Sequence, residues 1–130
     1  MRGLLDTSVF IAAESRRPMR TDLLPEESAV SVVTLAELRA GVLAAVDVET
    51  RARRMLTLDA VGDVELLGID EAAAHTWALM RVELAGTGCR VNVNDLWIAA
   101  CAASRDLPVV TRDGDFEAIE GIAGLRVVRV

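Results

Sequence analysis

The feature that most constrains this chain is a repeated alternation. Short apolar runs rich in Leu and Val are each followed by a stretch with helical spacing. Gly3 to Leu5 reads as a first strand, and a helix starts near Ser8. Ala29 to Val33 reads as a second strand, with helical spacing after it at Leu35, Leu38, Val42 and Val46. A further helix over Glu49 to Val61 leads to a brief strand over Glu65 to Ile69. The stripe Ala73, Trp77, Met80, Leu84 marks a helix over Glu71 to Leu84, closed by Gly86 and Gly88. Val93 to Ser104 is the next helix, Pro108 to Thr111 a strand, Asp113-Gly114 a turn, and Leu125 to Val130 the last strand. Pro18 and Pro25 bracket a loop or short helix. Strands that alternate with helices pair in parallel, because a parallel return needs a crossover. The expected fold is α/β: a mainly parallel central β-sheet flanked by helices, in one domain over residues 1–130.

Composition removes most enzyme classes. All 14 cations are Arg, so neither a Walker-type phosphate loop nor a Schiff base can form. One His and two Cys cannot fill a four-ligand zinc site. Ser-His-Asp chemistry would depend on His75, which sits in a helical stretch two residues from Trp77 and so reads as a surface residue. Cys89 and Cys101 lack metal or redox spacing and are expected to be buried free thiols in a reducing compartment. The longest charge-free run is nine residues, against about 20 for a membrane span. Asp6 interrupts the N-terminus before a signal-peptide core can form. The expectation is a soluble cytoplasmic protein with no membrane contact.

Carboxylates remain in quantity: 20 Asp and Glu. Parallel sheets place ligands at the C-terminal ends of their strands. Asp6 follows the first strand, and Asp113, with Asp115 two residues on, follows Val109-Val110-Thr111-Arg112. Glu37 and Asp95 are expected in the first turns of the helices that follow the second strand and precede the fourth. Each has an ordinary explanation. Asp6 can cap a helix, Thr34-Leu35-Ala36-Glu37 matches a capping box, Asn92-Val93-Asn94-Asp95 a variant of one, and Asp113-Gly114 a turn. Gathered at one sheet edge, however, these acids repel one another and stay ionised only beside a cation. Hard oxygen donors suit Mg²⁺ or Mn²⁺, and such ions activate water against a phosphodiester. The net charge of −6 is the wrong sign for a nucleic-acid binder. Two divalent ions would bring it to −2, so RNA or DNA stays open as substrate.

Four segments in order resemble the PIN-domain ribonucleases, specifically the VapC-like toxins of toxin–antitoxin pairs. They are Leu4-Leu5-Asp6-Thr7-Ser8-Val9, the run from Ser31 through Glu37 to Val42, Asn94-Asp95-Leu96-Trp97-Ile98-Ala99-Ala100, and Val110-Thr111-Arg112-Asp113-Gly114-Asp115-Phe116. The resemblance implies Mg²⁺- or Mn²⁺-dependent endonucleolytic cleavage of RNA, a VapB-like antitoxin partner and a homodimer. It carries the acids onto Asp6, Glu37, Asp95 and Asp113, with Asp115 sharing or replacing the fourth role. Asp6 and Asp95 would hold the principal ion, Glu37 would act through water, and Asp113 would complete the pocket. Thr7 or Ser8, and Thr111, would be supporting hydroxyls.

Arg112 is a possible RNA phosphate contact. Arg39 lies about 200° round an ideal helix from Glu37 and points elsewhere. Arg51, Arg53 and Arg54 read as a solvated or ion-paired face, and Trp77 and Trp97 as core. Val9, Phe10, Ile11, Leu23 and Leu24 read as core, some of them leaving a groove for an antitoxin segment. Phosphoaspartate phosphatases of the haloacid-dehalogenase type and response-regulator receivers rely on a Lys that is absent here. The remaining alternative is a catalytically silent PIN-like scaffold that binds a protein partner or RNA.

Overall fold

The computed structural model describes all 130 residues. Its strands are β1 (Arg2–Leu5), β2 (Glu27–Ser31), β3 (Glu65–Leu67), β4 (Val109–Thr111) and β5 (Val127–Arg129). Its helices are α1 (Thr7–Glu14), α2 (Val32–Ala44), α3 (Val48–Val61), α4 (Glu71–Thr87) and α5 (Val93–Ala103). All strand pairs are parallel, in the order β3-β2-β1-β4-β5. The chain builds outward from β1 through β2 to β3, then returns to the other side of β1 with β4 and β5. The strand order therefore reverses between β1 and β4. That reversal opens a crevice at the strands' carboxyl ends, where open α/β sheets bind ligands.

A sheet covered on both faces needs apolar residues at successive positions. Leu4 and Leu5, Ala29 and Val30, and Val109 and Val110 meet that need, all buried. Leu4, Ala29 and Val109 share a core with Met80, Leu84, Ile98 and Cys101 of α4 and α5. Leu5 and Val110 pack with Val9 of α1, and Val30 with Leu38 and Val61 of α2 and α3. Gly3 lies at the tightest point. A Cβ there would come within 2.9 Å of Val110 Cγ2 and 3.3 Å of Pro25.

Several local expectations change. β2 ends at Ser31, and Val32 and Val33 are helical, because the Ser31 hydroxyl accepts from Thr34 N (3.3 Å) and caps α2. The capping box expected at Thr34 is therefore absent, and Glu37 lies in the second turn. Cys101 is buried, as expected, but Cys89 is exposed beyond the end of α4. The last strand is three residues long. No helix is long and apolar enough to cross a membrane.

Candidate active site

Asp6 enters the site as the N-cap of α1, immediately after β1. It is 3% exposed. Its Oδ2 accepts from the hydroxyls of Ser8 (2.7 Å) and Thr111 (3.1 Å), and weakly from Ser8 N (3.4 Å). Ser8 Oγ in turn accepts from Arg112 N at 2.9 Å. Thr111 Oγ1 also lies 3.3 Å from Asp113 Oδ1, so one hydroxyl proton serves two carboxylates across the β1/β4 crevice. Asp113 Oδ1 accepts from Asp115 N (3.0 Å), which turns the chain after β4 and presents both acids.

The second group comes from α1 and α2. The Thr7 hydroxyl donates to Glu37 Oε1 (2.8 Å) and lies 3.0 Å from the buried Thr34 hydroxyl. The expected choice between Thr7 and Ser8 resolves into two roles: Ser8 orients Asp6, and Thr7 orients Glu37. Asp95 arrives from the first turn of α5, whose N-cap is Asn92.

All five acids, with Asn92, line one cavity of about 250 Å³. Asn92 was not among the expected site residues. Its signal was available as the helix cap three residues before Asp95. No Arg enters the cavity, and none of the chain's ion pairs involves these acids. The charge is accordingly frustrated. Burial and then the charges of Asp6, Asp115, Asp113 and Glu37 push the Asp95 carboxyl up to about 7. Burial also raises Asp6, opposed by the Ser8 and Thr111 hydroxyls and assisted by Asp113.

The expected arginines stand apart. Arg112 Nε donates to the Pro18 carbonyl (2.9 Å), which ties the loop after α1 to the segment carrying Asp113. Arg39 lies in a separate cavity with Leu58 and Asp59. Arg51 and Arg54 donate to the carbonyls of Ala45 and Gly41 near the end of α2, where a cation suits the helix dipole. His75 is exposed.

The family model described as PIN domain matches residues 3–122. Ribonuclease VapC5 of Mycobacterium tuberculosis is 56% identical over 128 residues, 98% of this chain and 95% of the relative. The chain belongs to the PIN-domain family, in its VapC branch. Ribonuclease VapC4 of the same organism is 44% identical to this PIN domain over 93% of both chains. The crystal structure of VapBC-5, a toxin–antitoxin system from Mycobacterium tuberculosis, superposes with a TM-score of 0.93 at 53% identity, covering 99% of this chain and 98% of that one. The DNA-bound VapBC of Salmonella typhimurium gives 0.80 at 30% identity, over 98% and 96%.

Whether the PIN-domain residues suit a divalent ion can be judged from their donors. All are hard oxygens, and their unbalanced charge favours a cation. No three of them are drawn together at the spacing of a ready-made cage. Hard divalent cations that keep part of their water shell need only one or two carboxylates directly.

Proposed function

We propose that this PIN domain, spanning residues 1–130, is a VapC-type toxin: a Mg²⁺- or Mn²⁺-dependent endoribonuclease held in check by a VapB-like antitoxin. The observation that carries the reading is the cavity at the β1/β4 crevice. Five carboxylates meet there without a cationic partner, and one of them holds its proton to about pH 7. An ordinary structural role explains each acid singly but not that gathering.

Asp6 and Asp95 are the residues proposed to hold the ion, with Glu37 and Asp113 at its periphery and Asp115 beside Asp113. Once bound, such an ion lowers the pKa of water and offsets charge on a phosphoryl oxygen. The chain's own part is orientation. Ser8 and Thr111 fix Asp6 Oδ2, Thr7 fixes Glu37 Oε1, and the backbone turn at Asp115 fixes Asp113. Asp95 would give up its proton on holding the ion, and Glu37 would bind through water or help deprotonate the attacking water. Arg112 is proposed to meet RNA only if its bond to Pro18 is exchanged.

A groove continues from the acids along α1. The acid cavity shares Thr7, Ile11 and Glu37 with a neighbour of about 270 Å³ that reaches Glu14, Gly41 and Arg54. That neighbour shares Glu14 with a third hollow bearing Arg16 and Arg53. This course fits an antitoxin segment that carries a cationic side chain to the acids and so silences them. A cytoplasmic location and a homodimer complete the proposal, as the VapC resemblance implies.

The test is incubation of the purified chain with total cellular RNA, in Mg²⁺ or Mn²⁺ and in chelator, beside Asp95→Asn. Discrete cuts that need both the ion and Asp95 are expected. Absence of cleavage, with no divalent ion bound, would instead make the chain a silent scaffold.

A further inference from the structure

A second cavity of about 340 Å³ adjoins the acids across the first turn of α5. Asn92 and Asp95 face the acid cavity, whereas Val93 and Leu96 line this one. The two cavities thus open on neighbouring faces of the same helical turn, about 100° apart round its axis. The walls are apolar, from Trp77, Leu84, Val93 and Leu96, and two guanidiniums, Arg81 and Arg90, join them. Neither Arg has an ion-pair or hydrogen-bond partner within the chain, although the protein carries a net charge of −6. Trp77 is stacked on Trp97, ring centroids 4.8 Å apart and planes at 15°, which makes a stiff aromatic wall. The Trp77 indole N–H is the one buried side-chain polar atom that lacks a partner. Such an orphan is uncommon in native interiors and calls for a physical cause.

We infer that this cavity binds a nucleotide of the RNA strand next to the scissile phosphate and thereby sets where the strand is cut. The inference rests on the ribonuclease reading above. Apolar walls with an aromatic plate suit a base, which has a π-face whatever its identity. The two free guanidiniums suit the phosphate attached to it. An apolar peptide would fill the walls but leave both cations unmatched. A nucleotide matches both halves of the cavity, and its neighbour along the strand then reaches the acids on the same helical turn.

The chain offers its own reporter, because it has no Tyr and its two Trp, the strong emitters, are Trp77 of this wall and Trp97 stacked on it. The wild-type protein in chelator is titrated with ten-nucleotide homopolymers of A, C, G and U, and with inorganic polyphosphate, a polyanion without bases. The expected result is an emission change with at least one homopolymer and none with polyphosphate. In cleavage assays with divalent ion, Arg81→Ala/Arg90→Ala and the cavity-filling Val93→Phe should raise KM about tenfold with kcat little changed. Both should also shift or blur the positions of the cuts along the strand. Val93 is exposed, so the larger side chain does not threaten folding. Wild-type cleavage with these variants cutting the same sites at the same KM would overturn the inference and leave the ribonuclease standing. A change confined to oligomeric mass would overturn it too, by making this face a contact between copies. No cleavage and no binding of any RNA by the wild type would overturn both.

Discussion

Asp95 is where the chemistry of this chain is most exposed to test. Its carboxyl is raised to about 7, first by burial and then by four like charges. In chelator, the folded state holds a proton that the unfolded chain releases near pH 4. The contribution of Asp95 to stability should therefore be greatest below about pH 4, fall as pH rises towards 7, and level off above. Asp95→Asn should remove most of that slope and stabilise the apo protein at pH 8 by on the order of 1–2 kcal/mol, the half-exposed position allowing screening. Denaturant titrations across pH would show it; a slope unchanged by the substitution would place the raised proton elsewhere. Divalent-ion affinity should run the opposite way, strengthening as pH rises to about 7, since binding must displace that proton. Around it, Ser8→Ala removes the shortest bond to Asp6 and strands Arg112 N. Activity or ion affinity should drop about 10- to 100-fold, as is usual for groups that orient ligands. Thr7→Ala should do likewise through Glu37, and a steady-state assay with calorimetric ion titration would measure both.

Elements place these residues through their ends. β1 delivers Asp6 because Gly3 lets it press against Val110 and Pro25. Gly3→Ala should cost about 1–3 kcal/mol in chemical denaturation, the usual penalty of overpacking. It should also weaken ion binding, since Asp6 directly follows that short strand. Helix caps matter as much. Ser31 starts α2 three residues ahead of where Thr34 would have started it, and this sets the turn on which Glu37 stands. The capping signals before Asp95 and at Asp6 were readable because each cap residue lies directly beside an apolar run. The start of α2 was not. Val32 and Val33 prolong the apolar run of β2 past Ser31, and their β-branching suits a strand. Their helical state is imposed by the Ser31 cap and by packing.

Across the whole molecule, the groove from the acids along α1 separates two functions. Gly41 lines it and carries no close neighbour: a Cβ there would meet only Arg54 Cδ, at 3.9 Å. Gly41→Leu should raise the thermal midpoint modestly, since Gly inside a helix costs about 0.5–1 kcal/mol. By filling the groove, the same change should weaken antitoxin binding at least tenfold while RNA cleavage persists. Calorimetric titration with the antitoxin beside a cleavage assay would check both, and undiminished affinity would move the antitoxin to another face.

The alternation of apolar runs and helical stripes was enough to foresee five strands in a mainly parallel sheet between helices, because continuous apolar runs and the 3.6-residue stripe are local properties of the chain. The acids were legible for the same reason: each stands near the end of a strand or helix, where local pattern is strongest. Their partnership was not local. Only the strand order β3-β2-β1-β4-β5 sets Asp6 beside Asp113, and only the packing of α5 brings Asp95 among four like charges. The bond from Thr7 to Glu37, the bond that draws Arg112 to Pro18, and the cavity that Asn92 shares with the acids all join residues far apart in sequence. Periodicity reports which way a side chain faces; it carries no information on what a crossover brings to meet it.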